Sequence, residues 1–147
     1  MPAKTVIFDQ RVKVIADLGL NPRNFLSYNP QGRLLCVAGF GNLAGQIDIY
    51  DRQTLKKVTT FEAPNTVHCE WSPDGRFLMC ATLSPRLRVD NGIKVYHFSG
   101  GLMHVQEIVE LYQVRPLASS CSSGPRSLCT PSFYRPRGAP PTRRGTP

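Results

Sequence analysis

The chain is sparing with the residues that mark several common functions. It has one Trp, three His and five Cys. Cys36, Cys69, Cys80, Cys121 and Cys129 make an odd set with no short pairing pattern, which argues against a secreted disulfide framework. No C-x-x-C or H-x-x-x-H spacing occurs, so a structural zinc site is not expected. No G-x-x-x-x-G-K-[ST] is present, which excludes phosphate handling by a P-loop. Nothing resembles a Ser–His–Asp or Cys–His catalytic set, and the sequence reads as a non-enzyme without a cofactor. No apolar run approaches the roughly 18 residues a membrane helix needs. Met1-Pro2-Ala3-Lys4 leads into charged residues rather than the apolar core of a signal peptide. A soluble, cytoplasmic protein is therefore expected, with no membrane partner. A sustained helical period is also lacking. Val12–Asp17 and Leu102–Ile108 come nearest, and both read better as strands.

Acidic residues are missing from one region. Residues 115–147 contain six of the 18 Lys+Arg, all Arg, and none of the ten Asp+Glu. Most of the formal charge of +8 thus sits in the last stretch. That stretch also holds seven Pro, six Ser and three Gly, with no hydrophobic period. It cannot bury enough apolar surface to offset its ordering entropy, so a disordered tail is expected over 115–147. Its Arg residues, with Phe133 and Tyr134, have the charge and stacking groups for non-specific RNA binding; an inert end is the alternative.

What is present is a repeat. Tyr28-Asn29-Pro30-Gln31-Gly32-Arg33 is answered by Trp71-Ser72-Pro73-Asp74-Gly75-Arg76, an offset of 43. Leu34–Ala38 is answered by Phe77–Ala81, and Ile47–Tyr50 by Ile93–Tyr96 at an offset of 46, with the extra residues in the loop between. A period of about 40–45 residues built from short strands is the mark of WD40-type propeller blades. The turns agree. Pro30 and Pro73 fix φ at a first central position, and Gly32 and Gly75 accept a positive φ.

The expected fold is all-β, a WD40-like β-propeller fragment over residues 1–114 with two complete four-stranded blades and two partial ones. Lys4–Asp9 and Val12–Asp17 are the outer strands of a first, incomplete blade. Asn24–Tyr28, Leu34–Ala38, Gln46–Tyr50 and Lys56–Phe61 make a whole blade. Val67–Trp71, Phe77–Thr82, Ile93–Phe98 and Leu102–Ile108 make a second. Glu110–Val114 begins another. Such an open set of blades is expected to expose apolar faces and to associate.

Two motifs carry possible chemistry. Gly39-Phe40-Gly41-Asn42-Leu43-Ala44 matches a relaxed dinucleotide fingerprint and follows a strand-like run. That fingerprint needs a helix to receive the pyrophosphate, and here another strand follows, so a glycine-rich strand connection is expected. Pro85-Arg86-Leu87-Arg88-Val89-Asp90-Asn91-Gly92 is the long loop of the second blade, ending in a turn-forming Asn-Gly. Arg86 and Arg88 alternate and are candidates for RNA phosphate contact; the alternative is a solvated loop in which an Arg pairs with Asp90.

Several strings together resemble the eukaryotic translation initiation factor 2A family. They are Pro22-Arg23-Asn24, Ala38–Leu43, Trp71–Gly75 and Ser84–Gly92, with Met1–Lys4 and Ile7-Phe8 similar as well. The resemblance runs to about Val114; Arg115-Pro116-Leu117 and the residues beyond do not share it. It implies a large propeller that binds the small (40S) ribosomal subunit. It also implies bringing initiator methionyl-tRNA there, guided by the codon and not by GTP. The implied partners are the small ribosomal subunit, initiator tRNA and mRNA, and not DNA. Two other readings are a general WD-repeat scaffold and the propeller of the initiation factor 3 b subunit.

Overall fold

The structure is a computed structural model and describes residues 2–84 and 90–117. Its strands in chain order are β1 (Ala3–Phe8), β2 (Val14–Asn21), β3 (Phe25–Tyr28), β4 (Leu34–Ala38), β5 (Gln46–Asp51), β6 (Lys57–Glu62), β7 (His68–Trp71), β8 (Phe77–Thr82), β9 (Gly92–His97) and β10 (Leu102–Glu107). They form a two-stranded sheet β1-β2 and two four-stranded sheets, β3-β4-β5-β6 and β7-β8-β9-β10, with neighbours antiparallel throughout. The described residues contain no helix. The fold is thus the all-β fragment expected: two β-propeller blades preceded by half of another.

Period-2 alternation explains how the blades stack, because successive side chains of a strand face opposite sides. On β4, Leu34, Cys36 and Ala38 point to the second blade, where they meet Cys69, Trp71, Leu78, Cys80 and Tyr96. Leu35 and Val37 point the other way, with Tyr50, onto Ile7 and Leu18 of the half-blade. The repeat is therefore one of packing as well as of letters. Ile47, Ile49 and Leu78 are fully buried between the blades, and each contributes about 1.5–3 kcal/mol by leaving water. Phe61 stacks on Tyr96 across the same interface, ring centroids 4.8 Å apart. Trp71 Nε1 donates to Ser27 O at 3.3 Å.

Two elements depart from expectation. Val12 does not open a strand: it sits in the β1–β2 turn at φ +60°, and β2 runs instead from Val14 to Asn21. The turn is held by the Asp9 carboxylate, which accepts from Arg11 N at 2.7 Å and Lys13 N at 2.9 Å. Glu110–Val114 forms no strand. Among the described residues it has no neighbouring strand to pair with, and it uses its apolar residues differently. Leu111 and Val114 fold back over Met79, Ala81, Ile93 and Val95, covering the far face of the second blade. Ser84 N donates to Leu111 O at 2.7 Å and fixes that return. The expected bare last face is therefore partly covered. Residues 115–117 carry no regular structure, and the rest of the expected tail lies outside the described residues.

Candidate functional site

Antiparallel alternation sends all strand connections to two ends of the blades. One end carries the tight turns 9–13, 29–33, 51–56, 72–76 and 98–101. The other carries the connections around Pro22–Asn24, Gly39–Gly45 and Ala63–Val67, and the loop before β9.

At the loop end, Pro22-Arg23-Asn24 meets the glycine-rich connection. Asn24 Nδ2 donates to Phe40 O at 2.9 Å and its Oδ1 accepts from Phe40 N at 2.8 Å. A Cβ on Gly39 would collide with the Pro22 carbonyl, so only glycine allows this approach. Phe25 packs on Phe40 with centroids 5.3 Å apart. Arg23, Asn24, Phe40, Asn42 and Val67 border an open hollow of about 420 Å³. The strand β5 follows Gly45 directly, so no helix terminus is available to a pyrophosphate.

Beneath this hollow lies a buried ion pair that the motif reading did not single out. Arg23 Nη2 donates to Asp48 Oδ2 at 2.7 Å, and both side chains are about 5% exposed or less. The guanidinium also donates to the Tyr50 hydroxyl at 3.0 Å and stacks over its ring at 5.7 Å. The other Asp48 oxygen accepts from Thr60 Oγ1 at 2.7 Å and from Lys57 Nζ at 3.0 Å. Burial pushes the Asp48 carboxyl up, but the hydrogen bonds from Thr60, Lys57 and Arg23 and the Lys57 charge outweigh it, leaving it below the ordinary range. The positions that repeat Arg23 and Asp48 at offsets of 43 and 46 hold Thr66 and Lys94. The pair thus belongs to the first whole blade alone.

At the turn end, Gly32 N donates to Asn29 O and Gly75 N to Ser72 O, both at 2.8 Å. Pro30 and Pro73 occupy the first central position of each turn, and Gly32 and Gly75 both have φ +68°. The two turns also bond to each other. Gln31 Nε2 donates to Asp74 O at 2.7 Å, and Asn29 Nδ2 to Gly75 O at 3.4 Å. A second cavity, about 750 Å³, opens between the half-blade and the first whole blade. Phe8, Ile15, Tyr28, Leu35, Asp51 and Arg52 are among its walls.

Arg86 and Arg88, the expected RNA contacts, lie outside the described residues. Cys36, Cys69 and Cys80 are buried core residues, with Cys69 Sγ 3.9 Å from Cys80 Sγ. Hydrogen bonds with the Cys36 and Cys80 thiols, and then burial, push the Cys69 thiol well up, so it stays protonated and non-nucleophilic. His68 turns away from Cys69 towards Glu70, 3.3 Å away. Among the described residues, no group of three or more His, Cys, Asp or Glu is placed to hold a metal ion. No helix there is long and apolar enough to cross a membrane.

Comparison with known proteins gives the chain its relatives. A family model described as eukaryotic translation initiation factor eIF2A matches residues 1–114. The chain is similar to eukaryotic translation initiation factor 2A of Schizosaccharomyces pombe, 46% identical over 97% of this chain and 22% of that protein. The Saccharomyces cerevisiae protein of the same name is 48% identical over 78% of this chain and 18% of its own length. Among solved structures, a crystal structure of a eukaryotic initiation factor superposes with a TM-score of 0.71 at 51% identity, covering 75% of this chain and 28% of that one. The chain spans about a fifth of the length of the curated relatives it matches.

Proposed function

The chain belongs to the eukaryotic translation initiation factor eIF2A family, and from that premise we propose that it is a ribosome-binding portion of a translation initiation factor, acting in the cytoplasm by binding and without a catalytic step. It engages the small ribosomal subunit and, with mRNA, helps place initiator methionyl-tRNA there in response to the codon and without GTP. Residues 1–114 are the binding unit, and 115–147 form a separate basic tail.

One observation carries this reading. The family match over residues 1–114 coincides with both whole blades and the half-blade. Within it, strings far apart in sequence become neighbours: Pro22–Asn24 clamps Phe40, and the Ser72–Gly75 turn is bonded by Asn29 and Gln31. The test is retention of labelled initiator methionyl-tRNA on purified small subunits programmed with an AUG message, without GTP. Retention that rises with added chain and falls when the AUG is changed supports the reading. Retention indifferent to the chain returns it to a general WD-repeat scaffold.

A further inference from the structure

The turn end of the blades carries more cations than carboxylates, and most of the cations are unpaired. Arg11 and Lys13 lie in the β1–β2 turn, Arg33 follows the β3–β4 turn, Arg52 and Lys56 lie in the β5–β6 turn, and Arg76 in the β7–β8 turn; all six are exposed. These turns adjoin one another. The cavity between the half-blade and the first whole blade is bordered by Asp9 and Gln10 of one turn, by Gly32, and by Asp51–Gln53 of a third. The 29–33 and 72–76 turns are joined by the Gln31 and Asn29 hydrogen bonds.

The carboxylates of this end are Asp9, Asp51 and Asp74, and each accepts backbone hydrogen bonds within its own turn. Asp9 accepts from Arg11 N and Lys13 N. Asp51 accepts from Gln53 N at 2.7 Å, with Arg33 Nη2 at 3.5 Å. Asp74 accepts from Arg76 N and the Ser72 hydroxyl. Among the described residues, Arg11, Lys13, Arg52, Lys56 and Arg76 enter no ion pair. All ten Asp and Glu of the chain are described residues, so the six cations of this end face only Asp9, Asp51 and Asp74 there, and the balance is positive. Exposed Glu62, Asp90, Glu107 and Glu110 sit at the opposite end.

We propose that the turn end is an RNA-binding surface, with Arg11, Lys13, Arg33, Arg52, Lys56 and Arg76 contacting phosphates along the backbone of a folded RNA. The assignment rests on the initiation-factor reading for the identity of its polyanion. Four guanidinium forks spread over successive turns suit phosphate oxygens arrayed along a strand. Exposed Phe8 and Tyr28 beside Arg52 supply rings for an unpaired base. Contacts to phosphates carry no base sequence, so the surface selects RNA by charge and shape.

The probe is a fluorescently labelled hairpin RNA titrated with the 147-residue chain at several salt concentrations. The variant replaces Arg11, Lys13, Lys56 and Arg76 together with Gln. These side chains make no hydrogen bond or ion pair among the described residues, so the fold is retained, and an unchanged far-ultraviolet spectrum checks that. Each lost phosphate contact removes about 0.7–0.9 from the slope of log affinity against log salt, so the variant loses about 3. Affinity at low salt falls by more than tenfold. An unchanged slope overturns the proposal, as does an equal loss from Arg86→Ala/Arg88→Ala with the turn end intact. Tighter binding of poly-glutamate than of the hairpin also overturns it, in favour of an acidic protein partner. The readout uses purified RNA, so a chain that binds the hairpin through this end but does not retain initiator tRNA on subunits counts against the initiation-factor reading and not against this surface.

Discussion

Arg23 and Asp48 lie 25 positions apart and make the tightest ion pair of the described residues. Two buried charges hold only while both are present, because the survivor is left unpaired in a poorly solvated site. Asp48→Asn should therefore lower unfolding free energy by about 3 kcal/mol in urea titration. Lys57→Ala, which removes the half-exposed partner of the same carboxylate, should cost less than about 1 kcal/mol. The pair also makes a pH prediction. The folded Asp48 pKa lies below the unfolded value, so between them the unfolded chain binds more protons and stability rises with pH. Its contribution is complete above the unfolded carboxylate value, about 4, and is lost as pH falls through the lowered folded one. Urea midpoints measured down that range should fall more steeply for the natural chain than for Asp48→Asn. Little of this network was legible in the sequence. Alternation in Ile47-Asp48-Ile49 puts Asp48 opposite the apolar pair, and that this second face is also buried, with Arg23 reaching it, follows from tertiary packing.

At the level of elements, the strands of both whole blades were legible because turn chemistry and period-2 alternation agreed across two copies. Where only one signal was present, the reading slipped. Val12 is apolar and β-branched, yet the Asp9 side chain draws the backbone into a turn around it. Glu110–Val114 has strand-like residues, but β-structure needs a paired edge, and the segment lays Leu111 and Val114 on the second blade instead. The twin turns give a sharper test. Gly32 and Gly75 share φ +68°, so Ala at either costs about 1–2 kcal/mol for a left-handed backbone. At Gly32 the added Cβ meets nothing nearer than Arg52 Nη1, 3.8 Å away. At Gly75 it strikes the Gln31 amide and displaces the hydrogen bond that ties the two blades. Gly75→Ala should therefore lower the melting temperature further than Gly32→Ala, and Gln31→Ala should remove the difference. Equal shifts would mean that the inter-blade bond contributes nothing.

At the scale of the molecule, the repeat shows which face is bare. Cys69 and Trp71 of the second blade are 8% and 5% exposed under the first, whereas their repeat equivalents Leu26 and Tyr28 are 60% and 48% exposed. The half-blade brings only two strands against the first blade, and Phe8, Val14, Ile15 and Leu20 are exposed beside it. Apolar surface of this kind drives association. Sedimentation velocity should show the average mass rising with concentration, and Leu26→Ser/Tyr28→Ser should shift the chain towards monomer. A monomer at every concentration would show that the face is tolerated bare. The central claim, however, is that these blades are a ribosome-binding portion of an initiation factor. Its most direct measurement is co-sedimentation of the purified chain with isolated small ribosomal subunits, beside large subunits as the control, across a series of salt concentrations. The account predicts saturable pelleting with small subunits alone, weakening steadily as salt rises. Pelleting equally with both subunits, or with neither at low salt, would contradict it.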